Sequence, residues 1–217
     1  MSKNLLTIMS CILLLASCKQ QNDQKRTYNV EKADEQIPKQ KVDIKTVGIL
    51  LYDGYAPLDA MGPYAVFSEL MGSKVFFVGR HRGLIEDAKG MKVQVDSSIA
   101  DVKQLDILLI PGGFKQTFEA TKDKELLDWI KSIDSISTYT TSVCTGAWIL
   151  GATGLLKDKE ATTHWSSKKL LADLYGANVK SLRYTHSGKY WTSAGVTAGL
   201  DMSLALINEI KGEKYTK

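Results

Sequence analysis

Three short runs limit what this chain can fold into: TVGILLY from Thr46, LDILLIPGG from Leu105, and the β-branched ISTYTTSV from Ile136. The first two are nearly all apolar over a strand's length, without the alternation of a strand that has one wet face. Such runs belong to strands covered on both sides. Helical patterns fall between and after them, over Asp59–Met71, in KELLDWIKSI, TGAWILGATGLL and SSKKLLADLYG, and in a final TAGLDMSLALINEI. KVFFVG from Lys74 reads as a further strand. GLIEDAKGMKVQVDSS and VKSLRYTHSGKYWTSAG read as hairpins, the first turning at Lys89-Gly90. Buried strands alternating with helices predict an α/β fold, a doubly wound sandwich, with its site beyond the carboxyl ends of the strands. There is no internal repeat.

The 217 residues fit one ordinary domain, residues 45–217, with extra sequence before it. Met1 to Gln20 read MSKNLLTIMSCILLLASCKQ, with Lys3 ahead of an apolar run from Leu5 to Leu15. The run is about half of the ~20 residues that span a bilayer, so residues 1–17 read as an export signal. Leu15-Ala16-Ser17-Cys18 resembles the lipobox of bacterial lipoproteins, in which Cys18 would be acylated and become the first mature residue. Localisation is then that of an exported lipoprotein, anchored to a membrane on its periplasmic or cell-surface side. Residues 18–44 are rich in Lys, Gln, Asp and Glu and read as a tether; about 25 flexible residues reach roughly 28 Å. The net charge of +4 comes without a basic block interleaved with aromatics, so no nucleic-acid partner is expected.

With Cys11 removed with the signal and Cys18 lipidated, Cys144 is the one thiol left in the domain. It has no internal disulfide to form, and is either an inert core residue or a reactive group. Ser142-Val143-Cys144-Thr145-Gly146 lies where a strand gives way to a helix. That is the geometry of a nucleophile elbow, with a small residue two positions on that lets the helix pack closely. The helix dipole there favours thiolate. A free thiol is only about 3 % ionised at pH 7, and the dipole supplies roughly one pKa unit, so a second group is needed. Asp59, in YAPLDAMGPY, is the available carboxyl, either as a helix N-cap or as a catalyst. Ionised, it would oppose a thiolate; protonated or sharing a proton, it would stabilise one.

LLYDGYAPLDAMGPYAVF, LDILLIPGG, TTSVCTGAWILGATGLLKDKEATTHW and GVTAGLDMSLAL together resemble the DJ-1/PfpI superfamily. The branch they resemble is that of isonitrile hydratases and of the sensor domains of AraC-type regulators. The resemblance covers residues 45 to about 211. It implies a flavodoxin-like fold, akin to class I glutamine amidotransferases, and a homodimer. Cys144 matches the nucleophile, Thr145 the residue after it, and Asp59 the acidic partner. Gly113 matches the backbone position facing the cysteine, which with Thr145 would supply oxyanion amides. His164 matches a histidine near the site whose role varies. His81 and His186 show no partner pattern and are expected at the surface. No spacing suggests a metal, and the resemblance implies no cofactor.

Two functions follow as expectations. One is a cofactor-free cysteine lyase that hydrates a small electrophile, an isocyanide, to an N-substituted formamide. The other is a redox or ligand sensor that uses the same activated cysteine. Pocket walls are expected near Phe114, Trp165 and the hairpin ending at Ser193.

Overall fold

In the computed structural model, residues 42–216 are described. The expected export signal of residues 1–17, the expected lipidation site Cys18 and the expected tether up to residue 41 lie outside them. Among the described residues, the core already includes a residue before position 45. Ile44 is already 1 % exposed in the core, and the Lys45 and Thr46 amides both donate to Asp106 Oδ2 at 2.8 Å.

Seven strands form the central sheet in the order β10-β11-β7-β6-β1-β2-β5. These are β1 (Thr46–Leu51), β2 (Lys74–Gly79), β5 (Ser97–Ser98), β6 (Ile107–Ile110), β7 (Tyr139–Val143), β10 (Tyr184–Ser187) and β11 (Tyr190–Ser193). All neighbours run parallel except the β10–β11 hairpin. The expected first hairpin is present as β3 (Gly83–Glu86) and β4 (Lys92–Val95). A two-residue ladder joins β8 (Glu160–Ala161) to β9 (Asn178–Val179).

Alternate residues of the buried strands feed opposite faces, as the period of two requires. Ile49, Leu51, Ile107, Leu109 and Val143 pack with Phe67 of α1 (Pro57–Ser68) and with Met202 and Leu206 of α6 (Thr197–Lys211). Leu50, Leu108 and Ile110 pack on the other face with Trp129 and Ile130 of α3 (Lys124–Ile136) and Ile149 of α4 (Gly146–Ala152). Leu171 of α5 (Lys168–Tyr175) joins that second cluster. Helices on both faces of a mostly parallel sheet make this a flavodoxin-like α/β sandwich.

The element boundaries differ from the sequence reading in three places. α1 begins at Pro57, where fixed φ and the missing N–H suit a first turn, two residues before Asp59. α4 stops at Ala152 rather than running to Leu156, in a turn where Gly154 has φ +86°. α2 (Lys115–Ala120) was not expected, because KQTFEA carries too few apolar residues to show a helical period. A short α7 (Glu213–Thr216) follows α6.

Candidate active site

Cys144 sits between the end of β7 and the start of α4 with φ +58°. Left-handed backbone is strained for a residue with a side chain, and it turns the thiol out of the strand direction. Hydrogen bonds on both sides of the peptide hold that conformation. The Cys144 amide donates to Ser193 O at 2.9 Å, and Thr163 Oγ1 donates to Cys144 O at 2.8 Å. A Cβ at position 146 would lie 2.2 Å from Ile110 O, so glycine there is what lets α4 start against β6.

Backbone walls the sulfur on two sides. A Cβ at Gly195 would lie 2.9 Å from Cys144 Sγ. A Cβ at Gly112 would lie 2.7 Å from Cys144 Cβ and 2.8 Å from Asp59 Oδ2. The thiol is thus enclosed by bare main chain, at 8 % residue exposure, with the carboxyl of Asp59 across Gly112.

Asp59 is not an N-cap; that place belongs to Ala56. Its side chain is 1 % exposed, and Oδ1 accepts the Val196 amide at 2.8 Å. Val196 is β-branched yet has φ +52°, a strained conformation that aims its N–H at the carboxylate. Oδ2 is buried without a hydrogen bond of ordinary geometry, although it lies near enough to Cys144 and the Gly112 amide to interact with both. Among the described residues, no lysine or arginine forms an ion pair with Asp59. Burial therefore raises Asp59 above the usual carboxylate range, against the opposing pull of the Val196 amide. Burial first, and the Asp59 charge second, push the Cys144 thiol up to about 12.

The sequence expectation of a thiolate favoured by the helix dipole and supported by a protonated Asp59 is therefore corrected. α4 has seven residues, and its contribution does not offset burial beside an acid. Both shifts favour the protonated forms, and the thiol keeps its proton at neutral pH. A thiolate arises when Asp59 takes that proton.

Thr145 closes the elbow from the other side. Its amide and hydroxyl both favour the ionised sulfur. Its Oγ1 accepts the Gly113 amide at 3.0 Å and donates to Gly113 O at 2.9 Å. The Gly113 N–H is thereby engaged within the elbow and does not face the sulfur as a free oxyanion donor. The Thr145 amide is the donor left at the thiol.

His164 is near enough to Asp59 to act on it electrostatically, but its Nδ1 is 2.8 Å from Ser166 Oγ and it completes no triad. His81 and His186 are exposed, His186 stacked on Trp191 at 4.5 Å. Phe114, Trp165 and Val196 are exposed apolar residues, next in sequence to Gly113, His164 and Gly195. Of Gly112, Thr163, Gly195 and Val196, only Gly112 is marked in the sequence, within the Pro111-Gly112-Gly113 turn whose amides could bind negative charge. Three of them act through main chain or by lacking a side chain, and their only signal was proximity to the Pro-Gly-Gly turn and the Ser-Ala-Gly end of the second hairpin.

A doubly wound sandwich with a strained cysteine at a β7–α4 elbow, faced by a buried carboxyl, defines a cysteine-elbow α/β protein. The profile of the DJ-1/PfpI family matches residues 45–209, and the chain belongs to that family. It is 36 % identical over 166 residues to an isonitrile hydratase of Pseudomonas putida, covering 76 % of this chain and 72 % of that one. It is 29 % identical over 131 residues to CdhR, an HTH-type transcriptional regulator of Pseudomonas aeruginosa, covering 60 % of this chain and 38 % of the regulator. The crystal structure of a ThiJ/PfpI family protein from Pseudomonas syringae superposes with a TM-score of 0.77 at 34 % identity, covering 81 % of this chain and 72 % of that one.

Proposed function

We propose that this protein is a cofactor-free cysteine lyase that hydrates an isocyanide, R–NC, to the formamide R–NH–CHO. The carrying observation is the Cys144–Asp59 pair, a thiol on strained backbone with a buried carboxyl across Gly112 from it. The similarity to an isonitrile hydratase supports the choice of substrate.

The pair supplies both an acid and a nucleophile. Asp59 takes the thiol proton as Cys144 attacks the terminal carbon, forming the S–C bond. The same proton returns to that carbon, giving a thioimidate, R–N=CH–S–Cys, with Asp59 again ionised. Water then adds to the thioimidate carbon. Asp59 removes its proton and the nitrogen is protonated. The C–S bond breaks, the formamide leaves, and the pair regains its proton. The Thr145 amide, already directed at the sulfur, steadies it whenever it carries charge.

Cys144→Ala should abolish turnover of a panel of small isocyanides and leave the melting temperature near that of the native protein. Unchanged turnover would refute the mechanism. A sensor is the second reading, favoured by the lone thiol of the described domain. Stoichiometric oxidation of Cys144 by mild peroxide, with no isocyanide turnover, would select it. We propose separately that Cys18 anchors the chain, tested by a lipid mass gain on that residue, and that the chain forms a homodimer. Leu58 and Leu204, both exposed on α1 and α6, would lie in such an interface, and light scattering tests it.

A further inference from the structure

We infer that Tyr52 is a positioning residue for the Cys144–Asp59 pair, acting through Pro111 and Thr117 on the wall that closes over the sulfur. This rests on the reading of that pair as the reactive centre, whatever electrophile it takes.

Tyr52 is the residue just after β1, and its hydroxyl reaches into the elbow. Oη lies 2.9 Å from Pro111 O and 3.0 Å from Thr117 Oγ1. A phenol has one proton and a carbonyl only accepts, so the Tyr52 proton goes to Pro111 O. Thr117 must then donate its own single proton to Tyr52 Oη. The Thr117 oxygen is left as an acceptor, with Thr145 Oγ1 3.4 Å away. Proton counting thus fixes the direction from Thr117 through Tyr52 to Pro111. Thr145 Oγ1 accepts the Gly113 amide at 3.0 Å and gives its own proton to the nearer Gly113 O at 2.9 Å.

The two partners of Tyr52 bracket the Gly112–Gly113 wall, Pro111 before it and Thr117 in α2 after it. That wall has no slack, with the closest atoms 2.7 Å from a Cβ built at Gly112 and 2.6 Å from one at Gly113. Gly112 is also the residue whose amide acts on Asp59. Without the Tyr52 hydroxyl, Pro111 O loses its donor and the Thr117 proton is free to turn toward Thr145. The wall loosens, and the amides that favour negative charge on the pair lose their aim. The ionisable groups acting on the pair are Tyr52 itself on Cys144 and Asp59, and His164 on Asp59. Tyr52 is held neutral by its burial.

Tyr52→Phe removes one oxygen and keeps the ring. In the full-length chain, iodoacetamide modification of the Cys144 peptide, followed by mass spectrometry from pH 6 to 10, reads the thiol without any substrate. Tyr52→Phe and Thr117→Val should each slow it about 3- to 10-fold at every pH, half to one pKa unit. Thr117→Ser, which keeps the hydroxyl, should restore the native profile, and Tyr52→Phe with Thr117→Val should be no slower than the worse single variant. A lowered melting temperature with a superimposable profile would reduce Tyr52 to a structural role and overturn the inference. If Tyr52→Phe fails to fold, the contrast between Thr117→Val and Thr117→Ser decides alone. A native protein inactive on isocyanides would sink the proposed substrate and leave this result standing.

Discussion

Two buried aspartates flank β7, and they are treated oppositely. Asp134 lies at the amino end of the strand, where Thr140 Oγ1 donates to it at 2.6 Å, Tyr190 Oη at 3.2 Å, and Lys189 Nζ pairs with it at 3.2 Å. Asp59 lies at the carboxyl end with one amide on Oδ1 and no bond of ordinary geometry on Oδ2. The first carboxylate has a cation and a full set of donors, and it ties α3 to β7 and β11. The second has an uncompensated oxygen facing a thiol. Satisfied, a buried acid is a clasp; left short, it binds a proton tightly and can pass it on.

Substitution should separate the two roles. Asp134→Ala leaves Lys189 beside an empty site and should cost about 3–5 kcal/mol of stability in chemical denaturation, with the per-molecule turnover of the folded fraction unchanged. Next in size, Gly195→Ala places a Cβ 2.9 Å from the sulfur at φ +105°. It should cost about 1–3 kcal/mol and block alkylation of Cys144 as well as turnover.

Asp59→Asn should behave unlike either. The folded pKa of Asp59 is raised above its unfolded value. Its proton therefore favours the folded state fully below the ordinary carboxylate value, and that contribution is lost as pH rises through the folded pKa. The native protein should lose stability from about pH 4 toward neutrality through this group, whereas Asp59→Asn should lack that slope and melt no lower than native at pH 8. Its turnover should nevertheless vanish. Smallest of all, His164→Gln should change turnover by less than about threefold, since a distant interaction is weak at surface dielectric. A larger loss would bring His164 into the reacting set.

What was legible in the sequence follows the same division. Strands β1, β6 and β7 were visible because burial on both faces leaves no polar residue to break the run. Cys144 and Gly146 were visible because an elbow needs a small residue at that spacing, and Asp59 stood out as an acid just after a strand. Val196 could not be seen, since it acts through an amide on a residue 137 positions away. Thr163 and Thr117 are threonines in loops or a short helix, with nothing in the local pattern to mark them. The expected thiolate failed because the dipole can be read from the order of elements, while burial of Sγ and Oδ2 depends on Gly112 and Gly195 closing in from distant loops.

The central claim is that burial beside Asp59 keeps the Cys144 thiol protonated at rest. Thiolate ultraviolet absorbance, followed from pH 6 upward against Cys144→Ala as blank, tests it directly. The account predicts no thiolate at neutral pH in the native protein, an onset only toward a pKa of about 12, and a lower onset in Asp59→Asn, where the neighbouring charge is gone. A full thiolate band at pH 7 that Asp59→Asn leaves unmoved would contradict it.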